Sequence, residues 1–280
     1  MPGFVDPTEP AIAGVDDSPF SAAQDQRAGS AVDLVREALS DSRVALAFQP
    51  VMRAGDDSRP AFYEGLIRIF DDAGRVIPAR DFIQQVEMQE LGRQIDCVAL
   101  KLGLKALRDA PDIRIAVNMS ARSIGYPQWN SILNRGLDRD STLAERLILE
   151  ITESSAMMMP ELVTVFMREL QHRGISFALD DFGAGYTSFR YLRDFYFDIL
   201  KIDGQFIRNV ASDTDNQVLT QALISIGRHF DMFTVAESVE TVEDAAFLAS
   251  VGIDCMQGYH FGAPTVHPPW EEDSGKKRRA

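Results

Sequence analysis

The stretch Ser176-Phe177-Ala178-Leu179-Asp180-Asp181-Phe182-Gly183-Ala184-Gly185 drives an apolar, strand-like run straight into two adjacent carboxylates and then into a glycine-punctuated loop. Side chains along a strand alternate between its faces, so Ser176, Ala178 and Asp180 share one side and Phe177 and Leu179 the other. Small groups on one face and bulky ones on the other suit a strand that lines a barrel and turns its large side chains toward outer helices. Two neighbouring ionised carboxylates repel each other. The pair is favourable only where solvent, a hydrogen-bond donor or a cation offsets the repulsion, and a divalent metal does so best. Alone, Asp180-Asp181 would sooner read as a helix N-cap or a solvated turn, so the rest of the chain has to decide.

Similar apolar runs recur on both sides of it: 45–49, 61–64, 113–118, 147–150, 199–202, 233–237 and 255–257. Most finish on a polar residue, and helix-like segments separate them. Of these segments, 79–110 carries Asp81 near its start, and 160–173 opens on Pro160 and closes on Gly174. This alternation predicts an α/β fold of parallel strands and crossover helices. In a barrel, the C-terminal strand ends converge on one face, so polar groups at many strand ends point to a single site. Gly183 and Gly185 lack the spacing of a dinucleotide-binding loop and read as loop geometry.

The chain has 280 residues, close to the roughly 250 of a single α/β barrel. One large domain, 29–270, is expected between a segment 1–28 and a charged tail 271–280 that both lack periodicity and read as disordered. Its net charge of −14, from 42 acidic and 28 basic residues, argues against duplex nucleic acid or an anionic membrane as partner. No apolar run approaches the roughly 20 residues of a membrane span, and no leader pattern opens the chain; a cytoplasmic protein is expected. Cys97 and Cys255 are too far apart in sequence for a zinc knuckle and read as buried thiols. The four histidines show no ligand spacing, and Met157-Met158-Met159 reads as core packing or the start of a helix.

An ordered set of motifs carries a resemblance to the EAL-domain family of cyclic di-GMP phosphodiesterases, from about residue 30 to Pro264. The motifs are Phe48-Gln49-Pro50-Val51, Glu64-Gly65-Leu66-Ile67-Arg68, Val117-Asn118-Met119-Ser120, Leu149-Glu150-Ile151-Thr152-Glu153-Ser154, Asp180-Asp181-Phe182-Gly183, Leu200-Lys201-Ile202-Asp203, Ala236-Glu237-Ser238-Val239-Glu240 and Gln257-Gly258-Tyr259. The resemblance implies a modified (β/α)8 TIM-type barrel with one antiparallel strand. It also implies hydrolysis of cyclic di-GMP to linear pGpG with two Mg2+ or Mn2+ ions as cofactors.

By family position, Glu64, Asn118, Glu150 and Asp180 would hold the first metal, and Asp180, Asp181 and Glu237 the second. Such hard oxygen ligands suit Mg2+ or Mn2+ rather than zinc. Lys201 would orient a water or act as its acid/base partner, beside the catalytic carboxylates Glu64 and Asp180. Glu153 would serve catalysis by steadying the loop after Asp181, and strand parity would place it opposite Glu150. Gln49, Leu66, Arg68 and Gln257 would contact substrate or the metal-water cluster, Arg68 as a planar partner for phosphate oxygens. A homodimer through the face near that loop is also implied.

Three positions depart from the family's usual text: Gly65 stands for Ala, Ala184 for Thr and Ser238 for Gly. Gly65 is expected to add backbone freedom beside Glu64, Ala184 to remove a hydroxyl that could pin the loop, and Ser238 to add bulk. The alternative to an active enzyme is a non-catalytic or weakly active cyclic di-GMP receptor or scaffold.

Overall fold

The computed structural model describes residues 19–184 and 192–271, with backbone alone for 19–28 and 57–58. The strands are β1 (Val44–Arg53), β2 (Asp56–Phe70), β3 (Val76–Pro78), β4 (Ile115–Asn118), β5 (Leu147–Thr152), β6 (Ser176–Phe182), β7 (Ile199–Ile202), β8 (Phe233–Ala236) and β9 (Cys255–Gln257). Hydrogen bonding runs β1-β9-β8-β7-β6-β5-β4-β2, and β1 pairs with β2 to close the ring; β3 hangs on the outer edge of β2. Pairing from β2 to β4 and onward to β9 is parallel. β1 runs antiparallel to both neighbours. The fold is therefore a modified TIM-type barrel with one reversed strand.

Each ring strand sends one residue into a buried apolar layer inside the barrel: Val51, Phe62, Ala116, Ile148, Ala178, Ile199, Val235 and Cys255. The opposite strand faces supply Leu149, Phe177, Leu179, Leu200 and Ile202 to the larger core under the helices. Each such side chain, when fully buried, contributes on the order of 2 kcal/mol. The alternation in 176–180 thus sorts as its sequence predicts. Cys97 and Cys255 are free, buried thiols.

The helices are α1 (Pro19–Ser40), α2 (Ile83–Val86), α3 (Glu90–Asp109), α4 (Pro127–Arg139), α5 (Glu153–Met158), α6 (Pro160–Gln171), α7 (Gly204–Ile207), α8 (Thr214–His229) and α9 (Val242–Val251). α6 shows why they sit where they do. Val163, Phe166, Met167 and Leu170 are buried, the i, i+3, i+4, i+7 stripe of a helix lying on a sheet, and Gly174 (φ +97°) turns the chain toward β6.

The structure departs from the sequence reading in three places. The single helix over 79–110 is a 3-10 turn at Ala79–Asp81, then α2, then α3. The chain folds back so tightly that a Cβ on Gly92 would lie 2.7 Å from the Glu87 carbonyl oxygen. β3 was not anticipated, because three edge residues show no readable alternation. α1 begins at Pro19, inside the stretch 1–28 expected to lack regular structure; 1–18 and the tail 272–280 lie outside the described residues. No helix among the described residues is long and apolar enough to cross a membrane.

Candidate metal and ligand site

Two residues beyond the apolar layer, on the same face of each ring strand, stand Gln49, Glu64, Asn118, Glu150, Asp180, Lys201, Glu237 and Gln257. On the reversed strand β1 the step runs backward, from Val51 to Gln49, and Glu237 follows directly on β8. The period of two along a strand therefore stacks a polar ring on an apolar floor. Sequence reasoning reached these residues one by one; the closed ring makes them one layer.

Lys201 is fully buried at its centre. Its Nζ lies 2.8 Å from Glu237 Oε1, 2.9 Å from Asp180 Oδ1, 3.1 Å from Glu150 Oε2 and 3.3 Å from Glu64 Oε2. Gln257 donates Nε2 to Glu64 Oε2 at 2.6 Å and to Gln49 Oε1 at 3.1 Å, while Gln49 donates to the Gly262 carbonyl. Asn118 donates Nδ2 to Glu64 Oε1 at 2.9 Å, which leaves its amide oxygen as the atom for a cation.

The ring is over-supplied with negative charge. Burial works against the Lys201 ammonium, yet Asp180, Glu150, Glu237 and Glu64 together hold its pKa well above the usual value. Glu64 is likewise buried, but Lys201, Gln257 and Asn118 outweigh the burial and keep its carboxyl low. One ammonium does not serve all five carboxylates. Burial, with the neighbouring carboxylates, pushes Glu150 and Glu237 well up. Asp181, the exposed member, is pushed up to about 6 by partial desolvation and by Asp180.

Two groups of three carboxylates bring ligand oxygens within 4.8 Å of one another: Glu64, Glu150 and Asp180, and Asp180, Asp181 and Glu237. Asp180 belongs to both. Glu150 Oε1 is buried without a hydrogen-bond partner, an arrangement that costs free energy until a cation or donor arrives. Carboxylate and amide oxygens are the donor set of a hard divalent ion, so the residues present fit such a cofactor.

Two cavities meet at this ridge and share Glu64, Leu66, Asp180 and Asp181. One, of about 450 Å3, is mainly apolar, walled by Ile83, Met88, Ile95 and Met158 with Asp96, Ser120 and Thr152. The other, of about 540 Å3, is the more polar of the two, with Gln49, Arg68, Arg80, Arg208, Glu240 and Tyr259. Leu66 and Arg68 follow Glu64 on the same face of β2. Met158 lines the first cavity at the C-terminal end of α5.

Glu153 differs from its expected setting. β5 ends at Thr152, which caps α5, so Glu153 is the first helical residue and strand parity does not place it. Its Oε2 accepts the Gly183 N–H at 3.1 Å, a contact with the loop after Asp181. Gly65 lies in a tight setting. Its backbone sits in the sheet opposite Phe48 and Val117, and a Cβ there would lie 3.1 Å from Leu46 Cδ1 and 3.3 Å from the Ala116 carbonyl oxygen. Ala184 is held by its own N–H to the Asp181 carbonyl at 3.1 Å. Gly185 and the following residues to 191, next to the face expected to pair two copies, lie outside the described residues.

Sequence reasoning missed Arg208 and Tyr259 on the polar cavity, and Asp96, whose Oδ2 accepts from Ser120 N–H at 3.0 Å and Ser123 Oγ at 2.6 Å. A carboxylate inside the apolar stripe of α3 was the available signal for Asp96.

A family model described as EAL domain matches residues 33–264. Among curated proteins, the cyclic di-GMP phosphodiesterase PdeB of Shewanella oneidensis is 30% identical over 234 residues, 82% of this chain and 27% of PdeB. Cyclic di-GMP phosphodiesterase PdeF of Escherichia coli is 30% identical over 82% of this chain and 31% of its own length. The bifunctional diguanylate cyclase/cyclic di-GMP phosphodiesterase MucR of Pseudomonas aeruginosa is 32% identical over 82% and 34%. The chain thus spans about a third or less of these relatives. Among solved structures, PaMucR phosphodiesterase in complex with c-di-GMP has a TM-score of 0.74 at 29% identity, over 87% of this chain and 99% of that one. The FimX EAL domain from Pseudomonas aeruginosa bound to c-di-GMP gives 0.77 at 24%, over 85% and 98%, and speaks for the fold.

Proposed function

This chain belongs to the EAL domain family, and we propose from that premise that it hydrolyses one phosphodiester bond of cyclic di-GMP to linear pGpG at a two-cation site. The observation that supports this most is the polar ring, with two three-carboxylate groups that share Asp180 and a buried, unpartnered Glu150 oxygen. Glu64, Asn118, Glu150 and Asp180 would hold one ion, and Asp180, Asp181 and Glu237 the other. Two bound Mg2+ or Mn2+ ions would neutralise ligand and diester charge and make a water acidic enough to attack at neutral pH.

The cavities on either side of the shared carboxylates suit a ligand with a base at each end and a phosphate between. Lys201, at the centre of these carboxylates, would orient the attacking water or act as its acid/base partner. Water oxygen joins phosphorus, the P–O3′ bond breaks, and the 3′ oxygen takes a proton, so one 5′-phosphate and one 3′-hydroxyl appear per turnover. Arg68 on the polar cavity offers a planar fork for phosphate oxygens, Gln49 would face a guanine edge, Leu66 would contact substrate and Gln257 the metal-water cluster. Glu153 holds the Asp181 loop through Gly183.

The test is a product assay on cyclic di-GMP with Mg2+, Mn2+ and Ca2+ compared. The expected result is pGpG with Mg2+ or Mn2+ and none in chelator. Binding of cyclic di-GMP with metal but no pGpG would turn the reading to a receptor. No effect of nucleotide or metal on the melting temperature would turn it to a scaffold, because specific binding must stabilise the native state.

A further inference from the structure

Ser238, the residue after Glu237, holds a left-handed backbone (φ +56°) that β-substituted residues other than Asn and Asp seldom adopt. Glycine would sit there without strain, but would lack two contacts that the serine side chain makes. It fills a notch left by a buried glycine: a Cβ on Gly204 would lie 2.7 Å from Ser238 Cβ and nearer still to its Oγ. Arg208 donates Nη2 to the same Oγ at 3.4 Å. Gly204 itself has no positive φ, so Ser238 is the main obstacle to a side chain at that position.

The same short turn reaches the other ligand-bearing loop. Gln205 donates Nε2 to the Gly183 carbonyl at 3.3 Å, and a Cβ on Gly183 would lie 2.5 Å from the Phe206 ring. Gly183 follows Asp181 by two residues, and Asp181 is also left-handed, at φ +54°. The turn begins at Asp203, whose Oδ1 caps Gln205 N–H and whose N–H donates to the Phe182 carbonyl, two residues beyond Lys201. Segment 203–208 therefore touches the residues that directly follow the Asp180-Asp181 pair and Glu237.

We propose that the turn Gly204–Arg208 is a positioning element for this second oxygen group, and that Ser238, seated on Gly204, is the latch that sets Glu237 against Asp180 and Asp181. This rests on the two-cation reading, since cation affinity is what the latch governs. The experiment is Mn2+ titration by calorimetry of the full chain, its Gly204→Ala and Ser238→Gly variants, and the double variant, with thermal unfolding of each in chelator. Gly204→Ala is expected to weaken one of two Mn2+ sites about tenfold and spare the other. In the double variant a methyl at position 204 takes up the vacated space, and affinity returns toward the parent value. The melting temperature should fall on Gly204→Ala only when Ser238 is present.

Equal losses of affinity from Gly204→Ala with and without Ser238 would overturn the latch. A lower melting temperature with unchanged Mn2+ affinity would make the contact merely structural and overturn the positioning role. A parent chain that binds no Mn2+ would overturn the two-cation reading and the positioning role with it, while the melting comparison reports on the seat of Ser238 by itself.

Discussion

Asp180 offers its carboxylate to both oxygen groups, so a substitution there removes a ligand from each, whereas Glu64→Ala or Glu237→Ala removes one. Asp180→Asn is expected to lower metal-dependent turnover by at least about 10²-fold, on the scale of losing one preorganised electrostatic group, and to weaken both Mg2+ sites in titration. Turnover near the parent rate would overturn its role as a bridge. Asp96 makes a different prediction. Burial, against hydrogen bonds from Ser123 and Ser120, pushes its carboxyl up to about 7, while the unfolded chain ionises it near 4. Between those values the folded state binds more protons, so stability is lost as pH rises from about 4 to 7, by on the order of 4 kcal/mol. Asp96→Asn should flatten that slope, read as urea midpoints in chelator at pH 5 and pH 8; an unchanged slope rejects it. Lys201 was legible in the sequence because Leu200 and Ile202 bracket it in a strand-like run. Ser238 was legible only as added bulk, because the notch it fills is made by a residue 34 positions earlier and exists only once α7 meets the end of β8.

The strands were the most legible elements, since all eight of the ring appear as apolar runs, and all but 199–202 finish on polar groups. Their closure and the reversed β1 came from the resemblance, not from periodicity, which carries no strand direction. The break between α2 and α3 was hidden because both pieces share one apolar rhythm and the discontinuity rests on close approach at Gly92. The junction of β5 and α5 was misread by one element, and it carries the prediction at this scale. Glu153→Ala should reduce kcat by about 10- to 100-fold, as loss of a residue that orients ligands does, and speed hydrogen exchange at the Gly183 amide. Glu153→Gln, which keeps an accepting oxygen, should recover most of the rate. A Glu153→Ala enzyme at the parent rate would show that the loop holds without this contact.

The whole molecule carries a net charge of −14, and the proposed substrate is an anion that must cross its field. At saturating Mg2+, kcat/KM should therefore rise as salt goes from about 0.01 to 0.15 M, where the screening length falls from about 30 to 8 Å. A fall instead would mean that Arg68, Arg80 and Arg208 beside the polar cavity dominate the approach. The barrel beneath the ring is plugged by its apolar layer from Val51 to Cys255, so the site is a blind-ended well. A linear dinucleotide keeps both bases of its cyclic parent and has to back out through the mouth by which that parent came in. Under the proposed reaction, pGpG is expected to compete with cyclic di-GMP for the same two cavities, seen as competitive product inhibition in initial-rate assays.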